Sequence, residues 1–177
     1  MKKILSAIAI VIMALPAAAQ KEKKVSTYFE LIYQQTIYDK TSGNNPWCAG
    51  LGLQTLLNAG GRFRPLIDLS AFTYLQDDKV LRVDENDNPL PDVRSIVNIF
   101  AGISYQPSLK NCFSIAGGPS FLTGETLLGI KSAFIFYFPD SKKWKGQISY
   151  TNVFNRGIEG SKGNFGSLSF AIGLRLF

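Results

Sequence analysis

The chain contains no histidine. Ser-His-Asp and Cys-His nucleophile systems therefore lack their general base, and histidine-based zinc sites are excluded with them. Few other residues carry chemistry. Cys48 and Cys112 are the only thiols, and in an exported chain such a pair invites a disulfide reading. Asp84, Glu85, Asn86, Asp87 and Asn88 offer oxygen ligands for calcium, but Pro89 stands where an EF-hand loop needs glycine and Ser95 where it needs the bidentate glutamate. A solvated acidic loop is the expected state. Lys142, Lys143 and Lys145 surround Trp144 and could meet phosphates, although a solvated turn accounts for them. No catalytic residue, metal ligand set or cofactor is expected.

The elements that must position these residues are strands. At the C-terminal end Leu168, Phe170, Ile172, Leu174 and Leu176 alternate with Ser167, Ser169, Ala171, Gly173 and Arg175 before Phe177, the period-2 pattern of a half-buried strand. Seven further segments of strand length precede it, at 27–38, 47–57, 65–76, 93–106, 112–121, 126–138 and 146–154, with the last at 165–177. Between them lie stretches rich in Gly, Pro, Asn and Asp, the residues that punctuate strands. At the other end, Lys2 and Lys3, an apolar run from Ile4 to Leu15 and Ala17-Ala18-Ala19 have the order of a secretory signal peptide. The expected domains are a signal peptide over 1–19 and a barrel domain over 20–177.

The two faces of these strands differ in kind. One carries Leu51, Leu53, Ile67, Leu69, Val97, Ile99, Ile103, Leu128, Ile130, Phe134, Phe136 and Phe138; the other carries Gly50, Gly52, Gln54, Asp68, Ser70, Asn98, Gly102, Ser104, Ser114, Ala116, Ser149, Thr151, Ser167 and Ser169. A water-soluble barrel would coat its polar face with Lys and Glu. Here only Glu30, Asp68, Arg94, Lys131 and Arg175 are expected within the strand cores. The large face is therefore expected to meet lipid, and the small and polar face to fill a narrow interior. The fold expected is all-β: an eight-stranded, antiparallel, up-and-down transmembrane β-barrel. The five charges have opposite signs and should pair inside it, since an unpaired buried charge is costly, which predicts a plugged lumen rather than a pore. Tyr38 and Trp47 at one end, with Tyr105, Phe113, Phe138 and Trp144 at the other, are expected as aromatic girdles at the membrane interfaces. Cys48 and Cys112 then fall at opposite ends of the barrel, too far apart for a disulfide.

With both termini in the periplasm, the connections at 39–46, 77–92, 122–125 and 155–164 face outward, and those at 58–64, 107–111 and 139–145 face the periplasm. The formal charge of +6 includes Lys2 and Lys3 and is scattered over turns, so no nucleic-acid partner is expected.

The signal peptide, eight amphipathic strands and terminal Phe177 resemble the small outer-membrane β-barrel domain family of the OmpX and OmpA-transmembrane type. The resemblance implies an outer-membrane location, contact with outer-membrane lipid and lipopolysaccharide, and assembly by the barrel-assembly machinery reading Phe177 as a terminal signal. In the family's usual ending the last aromatic continues the lipid-facing alternation; here Leu176 does so, and Phe177 falls one step out of phase. Ser149-Tyr150-Thr151-Asn152 is also similar to the end of lipid A deacylase barrels, which carry a His-x-Ser-Asn motif. Ser149 replaces the His, Thr151 the Ser, and only Asn152 matches. A deacylase without its base would be crippled. The function expected is non-enzymatic, structural or surface-interacting, with the 77–92 loop as the contact for an extracellular partner. The alternatives are an inactive deacylase-like barrel or a soluble periplasmic lipocalin-like barrel that binds a ligand.

Overall fold

The computed structural model of the chain describes residues 25–38, 47–58, 61–74, 95–122, 125–138, 143–158 and 161–176. These form eight strands: β1 Val25–Tyr38, β2 Trp47–Leu57, β3 Phe63–Tyr74, β4 Ser95–Tyr105, β5 Asn111–Leu122, β6 Glu125–Tyr137, β7 Trp144–Ile158 and β8 Ser161–Arg175. Each pairs antiparallel with the next, and β8 pairs with β1, so the sheet closes into a barrel in chain order. Both described ends of the chain lie at the end where the short connections 58–62, 106–110 and 138–143 turn the strands.

Alternation is the reason this sequence closes. Along β1, Ser26, Tyr28, Glu30, Ile32 and Gln34 are buried, whereas Phe29, Leu31 and Tyr33 are exposed. The same parity holds along β3, where Leu66, Asp68, Ser70 and Phe72 point in and Ile67 and Ala71 point out. One register slip would invert every side chain on a strand. The pairing of Leu31 with Leu51, and of Leu69 with Ile99, keeps the large outward residues opposite one another. All the residues assigned above to the large face do point outward, and no charged residue lies on that face between the barrel ends, among the described residues.

Three expectations need correction. The connection at 155–164 is not an open loop: β7 continues to Ile158 and β8 begins at Ser161, so the hairpin extends beyond its expected length. The register shifts between Val153 and Arg156, and Asn155 in the interval takes a φ of 56°, a left-handed conformation that Asn tolerates better than other side-chain-bearing residues. The turn at 139–145 is shorter than expected, because β7 starts at Trp144 and carries Lys145 into the interior.

The interior, finally, is not lined only by small and polar residues. Toward the long-connection end it holds an apolar cluster that includes Ile32, Cys48, Phe72, Tyr74, Ile96, Leu122 and Phe165. Toward the short-turn end it holds Tyr28, Leu56, Leu66, Phe100 and Ala116. Close packing demands this: small residues on all eight strands would leave voids, so large side chains on the inward parity fill the two halves.

One irregularity interrupts the ring. Between β4 and β5 the ladder runs from Ile96 to Asn98, lapses opposite Gly118 and Pro119, and resumes where Ala101 pairs with Gly117. Pro119 has no N–H to donate to a neighbouring strand.

Candidate functional site

Between the two apolar clusters lies a polar belt contributed by five strands. Glu30 on β1 pairs with Lys145 on β7 at 2.6 Å, and Asp68 on β3 pairs with Lys131 on β6 at 2.8 Å. Gln54 on β2 links the two pairs: its Nε2 donates to Asp68 Oδ2 at 2.9 Å and to Gln147 Oε1 at 3.0 Å, while its Oε1 accepts from Lys145 Nζ. Lys145 Nζ also lies 4.5 Å from the centroid of the Tyr28 ring, a cation–π geometry. All four charged side chains are buried.

The local sequence makes the room for this. Glu30 sits in register with Gly52 on one side and Gly173 on the other. A Cβ at Gly52 would come within 3.0 Å of Glu30 Oε2, and one at Gly173 within 2.7 Å of Lys145 Cε. Two glycines thus hollow out the pocket in which the carboxylate and ammonium meet.

Of the five charges expected in the lumen, Glu30, Asp68 and Lys131 meet in this belt. Arg175 does not join them. It lies at the short-turn mouth, where Nη2 donates to Ser26 Oγ at 3.0 Å. Arg94 lies outside the described residues, as do Phe177, the 77–92 loop and the acidic run 84–88. Lys145 was missed because its neighbours Lys142 and Lys143 made the segment read as a solvated turn. The signal was there in its parity, which it shares with Gln147, Ser149 and Thr151.

Among the described residues, apolar side chains lie on both sides of the ion-paired belt. Purified protein in planar bilayers is expected to give no stable open steps. Reproducible unitary conductance would contradict a plugged lumen.

The outer face carries the aromatic residues. Tyr38, Trp47, Phe113, Phe138 and Trp144 are exposed and Tyr105 is half-buried. At the short-turn end Phe63 stacks near Tyr105 with ring centroids 5.0 Å apart, and Phe113, Phe134, Phe136 and Phe138 run as a continuous series at 5.1 to 6.3 Å. At the opposite end Tyr33 and Trp47 lie 6.0 Å apart. Tyr38 reaches this face only because the β1–β8 register slips between Thr36 and Tyr38. Its ring covers Gly166, where any Cβ would overlap it. Its hydroxyl donates to Asn152 Oδ1 at 2.7 Å and contacts the Tyr150 hydroxyl, so the closing seam is tied to β7 across β8.

That arrangement bears on the deacylase-like segment. Ser149 and Thr151 point into the lumen and are buried, whereas Asn152 points outward beneath Tyr38. The segment therefore presents neither hydroxyl to the lipid side. Cys48 and Cys112 are both free, buried and directed inward. Among the described residues no three His, Cys, Asp or Glu side chains converge as a metal site.

No protein-family model matches the chain, and no curated protein matches it. Among solved structures its backbone is similar to that of the Yersinia pestis outer membrane protein Ail in a phospholipid bilayer nanodisc, at 11% identity over 85% of this chain and 99% of that one, with a TM-score of 0.53. It is also similar to a de novo designed transmembrane β-barrel, at 7% identity over 85% of this chain and 95% of that one, with a TM-score of 0.50. At these identities the likeness is one of fold alone. The fold of this chain is that of the small eight-stranded transmembrane β-barrels found in bacterial outer membranes.

Proposed function

We propose that this chain is an integral outer-membrane protein without enzymatic activity, exported by a signal peptide over 1–19, with a structural or surface-interaction role exercised through its outer connections. The observation that carries this reading is the outward face of the barrel. Leu31, Leu51, Ile103, Ile115, Leu128 and Ile172 are 46 to 60% exposed there, with no charged residue among them on the described strands. Apolar exposure on this scale is tolerated by lipid and not by water, which weighs against the soluble ligand-binding barrel. The aromatic series at the two ends suits the interfaces of a bilayer.

In this reading the short-turn end faces the periplasm, and the long connections, 77–92 foremost, are free to meet an extracellular partner, since binding functions concentrate on loops held by a rigid scaffold. Lipopolysaccharide would surround the outer half, and the barrel-assembly machinery would insert the chain, with Phe177 as its terminal signal. The buried positions of Ser149 and Thr151 support the absence of lipid hydrolysis. Envelope fractionation followed by electrophoresis of unboiled and boiled samples tests the proposal. The expected result is an outer-membrane band whose mobility changes on heating; a soluble band with no change would overturn it.

A further inference from the structure

Three glycines of the barrel carry an aromatic ring from the neighbouring strand. Phe72 lies over Gly50, Phe136 over Gly146 and Tyr38 over Gly166; in each case the two residues are direct partners in the ladder, and the ring stands where an added Cβ would be. A glycine weakens a strand because it brings no side chain to pack, and a ring laid over it from the next strand restores that contact. Two of these joints fall in the hairpins β2–β3 and β6–β7, where a turn also limits how the strands can slide. The third does not. β1 and β8 are the first and last strands of the ring, and no hairpin sets their register.

Alternation alone leaves that register open. A slip of one residue would turn every side chain of β8 to the other face, but a slip of two preserves both faces. Such a slip would put Leu168 or Asn164 in the place of Gly166 opposite Tyr38, and Ala171 or Arg175 in the place of Gly173 opposite Glu30. The observed register seats a glycine at both places. Between these two seats β1 uses one residue more than β8: Thr36 pairs with Ser167 and Tyr38 with Gly166, so Ile37 is the extra one. A bulge of this kind re-aims the side chain that follows it. Regular pairing beyond Thr36 would set Ile37 opposite Gly166 and turn Tyr38 toward the lumen. With the bulge, Ile37 and Tyr38 are both exposed, and Tyr38, Gly166 and Asn152 form one row across β1, β8 and β7. The Tyr38 hydroxyl then reaches Asn152 Oδ1 at 2.7 Å over a residue with no side chain in its path.

We propose that the seating of Tyr38 on Gly166 is what holds the bulge at Ile37, and that this joint selects the register in which the outer end of the seam closes. The bulge leaves Ile37 without a ladder partner; the ring contact and the bond to Asn152 offset that loss. Closure in this register depends neither on where the barrel resides nor on what its connections bind.

The test uses full-length processed protein in nanodiscs of phosphatidylcholine, with cross-strand NOEs between β1 and β8 read by NMR. In the unaltered protein and in Tyr38→Phe, position 38 should stand opposite position 166. In Tyr38→Ala and in Gly166→Ala the bulge should disappear. Ile37 should then stand opposite position 166, the Asn152 side-chain amide signals should shift, and the seam amides from Thr36 outward should exchange with solvent about fivefold faster. Gly166→Ala separates the joint from crowding in the lumen, because it leaves Tyr38 and every inward side chain as they are. A bulge that persists in Gly166→Ala or in Tyr38→Ala would overturn the proposal. Loss of the bulge in Tyr38→Phe would overturn it as well, since the hydroxyl and not the seated ring would then hold the bulge.

Discussion

Lys145→Met is expected to destabilise the folded barrel by about 3–5 kcal/mol, the usual cost of removing one partner from a buried ion pair. The substitution roughly conserves volume, so its effect is electrostatic. Glu30 would remain 1% exposed with its ammonium gone, while Lys131 is held by Asp68. Gln54 would also lose the donor to its Oε1. The double variant Glu30→Gln/Lys145→Met should recover much of the loss, because removing both charges removes the desolvation penalty along with the attraction. Urea unfolding in lipid vesicles, read as the heat-modifiable fraction, checks this through the midpoint at constant slope. If the single variant were no less stable than the double, the pair would carry no net weight in the lumen.

An effect of similar size is expected at Gly102. A Cβ there would lie far inside contact distance of the Ile115 carbonyl oxygen and close upon the Ala116 Cα, which are backbone atoms of the paired strand and not a side chain that can swing away. Gly102→Val must therefore part β4 from β5 where Gly102 pairs with Ala116, next to the interval that already lacks pairing. Overpacking and lost ladder bonds together should exceed ~3 kcal/mol, enough to abolish the heat-modifiable band. Gly61→Ala is the matched control: its added Cβ would meet nothing nearer than the Phe63 nitrogen at 3.9 Å, and assembly should be unchanged. Normal folding of Gly102→Val would mean that β4 and β5 approach less closely than described.

The outer face was legible in the sequence because lipid imposes one rule on every outward residue, and that rule survives strand by strand as a plain alternation. Eight strands and their order followed from it. The interior obeys no single rule. Phe100 stands between Asn98 and Gly102 on the same face, so the inward parity mixes fillers, spacers and charges, and only the shape of the assembled lumen decides which belongs where. Lys145 illustrates the limit: two flanking lysines and a nearby proline outweighed its parity, whereas its partner Glu30, placed between apolar neighbours, was easily assigned to the lumen. Tyr38 was assigned to the outer face, yet it gets there by a bulge that no alternation announces. Arg64, Lys110 and Arg175 are distant in sequence and come to line one cavity only when the ring closes.

The two staves of the closing seam are the farthest apart along the chain, so no turn tethers them and only ladder bonds and side chains hold the join. Tyr38 supplies one such rivet, reaching from the first stave across the last to Asn152 on the one before it. The fourth and fifth staves, joined by a short connection, keep one register across the interval that lacks ladder bonds opposite Pro119. A tether does there what the rivet does at the seam.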